Sequence, residues 1–281
     1  ACHLAALNLK KKYPHLKWVA MFQDPYLDNP LRRPSFLWDK LAHHREKAIF
    51  EHADRLVANT SASFDRWEAR YPQHAGKISV AWTGYDPAET VGPLSLDRGS
   101  KPVLTHIGSI YGGRRVGMLL RSVLRLRDQR RLKPFDIRFV GPSELVPEDH
   151  SLMVQLEGEG WVRRQERVSR REALDVAGSS DYLLLVDTNL QNTSLQVPSK
   201  LFDYIRIGRP VLCYTQRDSM SERILARSGV RYECIYSDSS PEESDEALLR
   251  FLDLSTEPVQ PTDWFLSTFE CERQIQPIVS Y

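Results

Sequence analysis

The chain has 281 residues, which corresponds to about two domains. Hydrophobic residues make up 41% and charged residues 27%, which supplies a sizeable core and excludes global disorder. Lysine and arginine number 38 against 37 acids, so a formal charge of +1 excludes a chain-wide attraction to nucleic acid. Four cysteines (Cys2, Cys213, Cys234, Cys271) show no metal or CxxC spacing, and Cys213 sits in an apolar run that reads as core. That usage fits a reducing compartment, and a cytoplasmic location is the expectation. No run of 18 apolar residues is present, so no membrane-spanning helix is expected. The opening "ACHLAALNLKKKYP" places its basic residues after the apolar stretch, the reverse of a secretory leader. It starts without Met inside a helical pattern, so the expectation is that a longer protein extends upstream.

In chain order the pattern alternates helix and strand. A helix over 1–12 leads to a strand at 17–22, "KWVAMF", and a Pro-rich loop, "QDPYLDNPLRRP". A helix over 37–53 feeds a strand at 55–60. A helix over 61–71 stops at Pro72 and feeds a strand at 77–82, "KISVAW". Short apolar strands separated by helices predict an α/β fold with parallel sheets covered on both faces. Residues 83–101 carry Gly, Pro, Ser and Asp without periodicity and read as a linker. The rhythm restarts with a strand at 103–108, a glycine loop, a helix over 115–131 and a strand at 136–141. Ser169 and Glu172 form a capping box ahead of a helix over 170–178, and a strand follows at 182–186. Ser240, Pro241 and Glu243 set the start of a helix over 242–253, and a final helix covers 264–277.

Three stretches fall at the carboxyl ends of predicted strands, where open α/β sheets bind ligands. In "HIGSIYGGRR" (106–115), Gly108, Gly112 and Gly113 let backbone approach a ligand, and a helix N-terminus with Arg114 and Arg115 suits a diphosphate. The alternative there is an ordinary strand–helix turn with surface arginines. In "VPSKLFDYIRIGRPVLCY" (197–214), Gly208 and Pro210 end a helix before a buried strand. Lys200 and Asp203 are spaced to form a surface ion pair of little energetic weight, or to meet a ligand at the helix start. In "MFQDPY" (21–26), Asp24 is a candidate base or hydroxyl partner, or simply shapes the turn before Pro25. His43, His44 and Glu51 lack a metal-binding spacing and read as solvated helix surface.

Together these residues resemble the GT-B glycosyltransferases, specifically the family 4 group related to glycogen and sucrose synthases. "ADRLVANT", "KISVAWTGYDP", "THIGSIYGGRR" and "VPSKLFDYIRIGRPVL" occur in the family's order across essentially the whole chain. The resemblance implies two Rossmann-like domains facing a cleft, with the N-terminal one incomplete. The expected boundaries are an acceptor-side domain over 1–92, a linker at 93–101, a nucleotide-sugar domain over 102–262, and a helical segment over 263–281 crossing back. It implies a sugar transferase using a nucleotide-diphosphate sugar as donor substrate, with no cofactor and no metal, and with retention. The acceptor would be a hydroxyl of a glycan, a lipid-linked molecule or a small molecule, as in polysaccharide biosynthesis.

Carried over by position, Asp203 stands for the glutamate that contacts the nucleotide ribose. Gly108, Ser109, Gly112, Gly113 and Arg114 would face the diphosphate with help from Lys200, and Ser194 and Leu195 would contribute backbone groups. Departures are specific. The family pairs two glutamates separated by seven residues, and here the first position is Leu195 and the second the shorter Asp203. Gln23 and Asp24 stand where the family places a reaction-centre histidine, and are the catalytic candidates. A non-catalytic nucleotide- or glycan-binding module and a nucleotide-sugar epimerase are the alternatives. Peripheral membrane contact is an expectation tied to basic stretches such as "RRQERVSRR" (163–171), although charge runs are usually solvated.

Overall fold

The computed structural model describes residues 2–29, 35–94, 101–188 and 195–279. It divides into two compact units. The first comprises Ala1–Pro87, Leu190–Val197 and Ser267–Tyr281, and the second Ala88–Asn189 and Pro198–Leu266.

In the first unit, α1 (Cys2–Lys12), β1 (Val19–Phe22), α2 (Phe36–His52), β2 (Arg55–Ala58), α3 (Ser61–Arg70) and β3 (Ile78–Val80) alternate along the chain. The strands form a parallel sheet in the order β1-β2-β3. Its core is aromatic: Phe50 and Trp67 meet edge to face at 5.2 Å, and Phe22 meets Trp67 at 5.0 Å. Thr60 caps α3 by accepting from the Ser63 N–H. Pro72 ends that helix as expected and opens a 3₁₀ turn over Pro72–Lys77. His43 and His44 are solvent-exposed on α2, and Glu51 pairs with Lys47 one turn away.

The second unit contains β4 (Val103–Ile107), α4 (Gly117–Asp128), β5 (Asp136–Val140), α5 (Pro147–Gly158), β6 (Val162–Gln165), α6 (Arg170–Gly178) and β7 (Tyr182–Val186). It continues with α7 (Lys200–Ile207), β8 (Val211–Thr215), α8 (Met220–Ser228), β9 (Tyr232–Tyr236) and α9 (Pro241–Leu252). Its six strands are all parallel in the order β6-β5-β4-β7-β8-β9. The composition of each strand follows its place. The central strands "YLLLV" and "VLCYT" are buried throughout, whereas edge strand β6, "VRRQ", exposes all but its first residue. Cys213 is fully buried within β8.

Both capping boxes form. The Ser169 and Ser240 side chains accept from the backbone of Glu172 and Glu243, whose carboxylates accept in return. Gly208 takes the left-handed conformation (φ 75°) after α7, and Pro210 follows. The predicted single helix over 264–277 is instead two, α10 (Asp263–Phe269) and α11 (Cys271–Val279). The break has a local cause. The backbone of Tyr85 donates to Phe269 O and accepts from Cys271 N, both at 2.9 Å, and so pulls Glu270 out of the helix. Residues Ala88–Leu94 belong to the second unit rather than to a free connection. Arg206 donates to the Glu89 carbonyl, Arg171 to that of Thr90 and Arg209 to that of Leu94.

Candidate functional site

The chain leaves β4 for β5 and β6 on one side, then returns to place β7 on the other, so the strand order reverses between β4 and β7. Loops diverge at such a point and leave a crevice beyond the strand ends. A cavity of about 280 Å³ occupies this place in the second unit. Its walls are Gly108 and Ser109 after β4, Gly141 after β5, Arg167–Arg170 entering α6, and Ser199, Lys200 and Asp203 from the start of α7.

Glycine is required where the β4 and β5 loops meet. Gly108 has φ 88° and Gly141 φ 120°, and a Cβ on Gly141 would lie 3.0 Å from the Gly108 backbone. A Cβ on Gly108 would lie 3.1 Å from Lys200 Nζ. Gly112 and Gly113 also adopt positive φ, forming the turn that leads to α4.

Lys200 is not the surface half of an ion pair. Its ammonium group is tucked under Gly108 and donates to His106 Nε2 at 3.2 Å. His106 is fully buried, and its Nδ1 lies 2.9 Å from the Leu184 carbonyl. A carbonyl only accepts, so Nδ1 carries the proton and Nε2 offers its lone pair to the lysine. Burial and the neighbouring Lys200 charge both hold His106 well below the ordinary histidine range, in its neutral form. Burial, with a further push from Arg114, brings Lys200 down to about 7, against the pull of Asp187. Asp187 is itself buried, which raises its pKa, and accepts from Ser221 at 2.7 Å and Thr215 at 3.3 Å.

Asp203 is only 4% exposed, and its carboxylate is held by Arg170 rather than by Lys200. Burial raises its pKa and Arg170 opposes the rise. Arg114 stacks over the Tyr111 ring at 4.6 Å and has no carboxylate partner among the described residues. Arg115 differs. Its guanidinium makes two 3.0 Å bonds to Asp149, which also accepts from Val116 N and Gly117 N. The α4 N-terminus, expected to be free for a phosphate, is thus already capped by a carboxylate. The Asp149 sequence position carries no signal for this, because it lies over thirty residues from its partners.

The remaining candidates lie in the first unit. The Gln23 carbonyl accepts from Asn59 at 2.8 Å, and Asp24 accepts from Gln196 at 2.6 Å. The buried Leu195 turns its carbonyl to the Thr60 and Ser63 hydroxyls at 3.0 and 3.1 Å. Ser194 lies outside the described residues. The basic stretch 163–171 is largely neutralised within the second unit. Arg163 pairs with Asp136, Arg164 with Glu157, Arg170 with Glu89 and Asp203, and Arg171 with Asp175. Among the described residues no His, Cys, Asp or Glu cluster is placed to hold a metal ion, and no helix is long and apolar enough to cross a membrane.

No family model matches the sequence, and no curated protein matches it. Solved structures do. The lipopolysaccharide outer core galactosyltransferase WaaB superposes with a TM-score of 0.64 at 17% identity, covering 99% of this chain and 71% of its own. The fold is GT-B. Sucrose-phosphate synthase from Thermosynechococcus elongatus gives a TM-score of 0.66 at 11% identity, covering 99% of this chain and 70% of its own. Staphylococcus aureus TarM, solved with UDP, gives 0.62 at 10% identity, covering 94% of this chain and 50% of its own. The GT-B chain therefore shares the architecture of glycosyltransferases at identities where architecture alone is informative.

Proposed function

We propose that this chain is a glycosyltransferase that takes a sugar from a nucleotide-diphosphate donor to an acceptor hydroxyl, with the nucleotide in the cavity of the second unit. The observation that carries this reading is the convergence of a buried carboxylate, Asp203, and a half-buried lysine, Lys200, on one crevice at the strand-order reversal. A carboxylate suits the two vicinal hydroxyls of a ribose. Lys200, Arg114 and the Gly108–Ser109 backbone suit a diphosphate, whose departure needs its developing charge stabilised. The cavity is near the lower end of the ~300–1,000 Å³ typical of ligand sites, sized for part of a nucleotide. TarM, solved with UDP, supplies a like-folded precedent for a nucleotide diphosphate.

Asp24 and Gln23, at the carboxyl edge of the first sheet, are assigned to the acceptor side. Family resemblance favours retention, and a glycan or lipid-linked acceptor fits the likeness to WaaB, a lipopolysaccharide outer core galactosyltransferase. Calorimetric titration with UDP, GDP and ADP is the test. One of the three binds the wild type, and Asp203→Ala weakens it by about tenfold or more. Binding of none, or an unchanged Asp203→Ala affinity, defeats the reading. A second reading, a nucleotide-binding module without transfer, is favoured by one residue: Leu195 stands where the family pattern has an acid. Release of free sugar or a transferred product from a nucleotide-sugar separates the two. A changed sugar formed without an acceptor would instead indicate an epimerase.

A further inference from the structure

The residue holding Asp203 has a role of its own. Arg170, the first residue of α6, donates from Nη2 to Asp203 Oδ1 at 3.1 Å and from Nη1 to Oδ2 at 3.3 Å. The same guanidinium donates from Nε and Nη2 to the two oxygens of Glu89, at 2.8 and 2.7 Å. The shorter bonds are to Glu89, so Glu89 anchors the fork and the other edge of the fork orients Asp203. Glu89 is fixed in turn, because Arg206 donates to its carbonyl at 2.6 Å. The charges facing Asp203 are Arg170 on α6, Arg206 on α7 and Glu89 on the segment before β4. The two arginines favour the carboxylate, and Glu89 opposes it.

A carboxylate offers about four lone-pair sites, two on each oxygen. Arg170 takes one on each, which leaves each oxygen able to accept one hydroxyl. We propose that Arg170 is a positioning residue for the nucleotide's ribose: anchored by Glu89, it fixes the orientation and charge of Asp203 so that the site distinguishes a vicinal diol from a 2′-deoxy sugar. The proposal rests on the reading of Asp203 as the ribose contact. The chain position of Arg170 gives no hint of this role, since its partners lie 81 and 33 residues away.

The test compares dissociation constants for UDP and 2′-deoxy-UDP, with the guanine and adenine pairs run in parallel, on the wild type, Arg170→Gln, Arg170→Lys and Asp203→Ala. The wild type prefers the ribonucleotide by about tenfold or more, the scale of a hydrogen bond to a charged group. Arg170→Gln brings the two constants within about threefold of each other, because an unpaired buried Asp203 loses charge and orientation. Arg170→Lys gives an intermediate ratio, since an ammonium keeps the charge without the planar fork. A purely structural role would weaken both nucleotides equally and leave the ratio unchanged, which overturns the proposal. Tighter binding by Arg170→Gln also overturns it, because Arg170 would then be a competitor for the site. If thermal unfolding shows that Arg170→Gln does not fold, the ratio in Arg170→Lys decides: intermediate supports, wild-type overturns. A wild type and an Asp203→Ala that both lack the ribose preference defeat the ribose reading itself, independently of Arg170.

Discussion

If the second-unit cavity takes a nucleotide diphosphate as proposed, Lys200 makes that binding depend on pH in a calculable way. Its ammonium is held at about 7 by burial and by Arg114, so half of the free protein carries the charge at pH 7. A bound diphosphate stabilises the ammonium and raises its pKa above the free value. Affinity is therefore complete below about pH 7 and declines as pH rises, until the bound-state pKa is reached. The protonated fraction falls from about one half at pH 7 to about one in a hundred at pH 9. The dissociation constant of the nucleotide then weakens about fiftyfold, or about 2.3 kcal/mol. The terminal phosphate of a nucleoside diphosphate is already ionised across this range, with a second pKa near ~6, so its own titration does not mask the effect. Calorimetry at pH 8 in buffers of different ionisation enthalpy reads the coupled uptake directly, at about 0.9 proton per site. Lys200→Met removes the slope: it binds more weakly than wild type at both pH values, and the gap is about fiftyfold wider at pH 7 than at pH 9. A wild-type constant that stays flat from pH 7 to 9, or a Lys200→Met protein with the same slope, refutes the reasoning.

Other perturbations separate fold from site. Gly208→Ala forces a side chain into a left-handed residue and against the Val259 carbonyl oxygen, so it lowers stability by about 1–3 kcal/mol, read by thermal unfolding. Asp149→Ala uncaps α4 and removes the main partner of Arg115, costing about 2–3 kcal/mol in denaturant unfolding, whereas Arg115→Ala, which leaves the cap, costs about 1. On the proposed function, Asp24→Ala leaves nucleotide affinity unchanged and slows sugar transfer, because Asp24 belongs to the first unit and the cavity proposed for the nucleotide to the second.

What the sequence disclosed divides along a physical line. Features set within a few residues were legible: the boxes Ser169–Glu172 and Ser240–Glu243, the Gly208–Pro210 stop, and the mostly apolar central strands. The chirality of the backbone and the reach of a short side chain decide these locally. Features set by distant partners were not. Nothing near Glu270 predicts that Tyr85 breaks the final helix. Nothing near Arg115 separates it from Arg114, although one is bound to Asp149 and the other stacks on Tyr111. The elements α5, β6, α8 and β9 give weaker patterns, and β6 in particular is an edge strand of "VRRQ" without an apolar alternation to reveal it. Lys200 and Asp203 were legible as a pair worth weighing, but their three-residue spacing favoured a mutual contact. Burial gave each a different partner, His106 for the lysine and Arg170 for the aspartate.

The central claim is that the second unit holds a nucleoside diphosphate between Asp203 and the Gly108 loop. A crystal structure of the protein soaked with UDP, GDP and ADP in turn tests it most directly. The account predicts density for one of them at the end of β4, with both ribose hydroxyls within hydrogen-bond distance of Asp203 and the diphosphate against Lys200 and Arg114. A nucleotide bound elsewhere, or one turned so that its ribose faces away from Asp203, would contradict it.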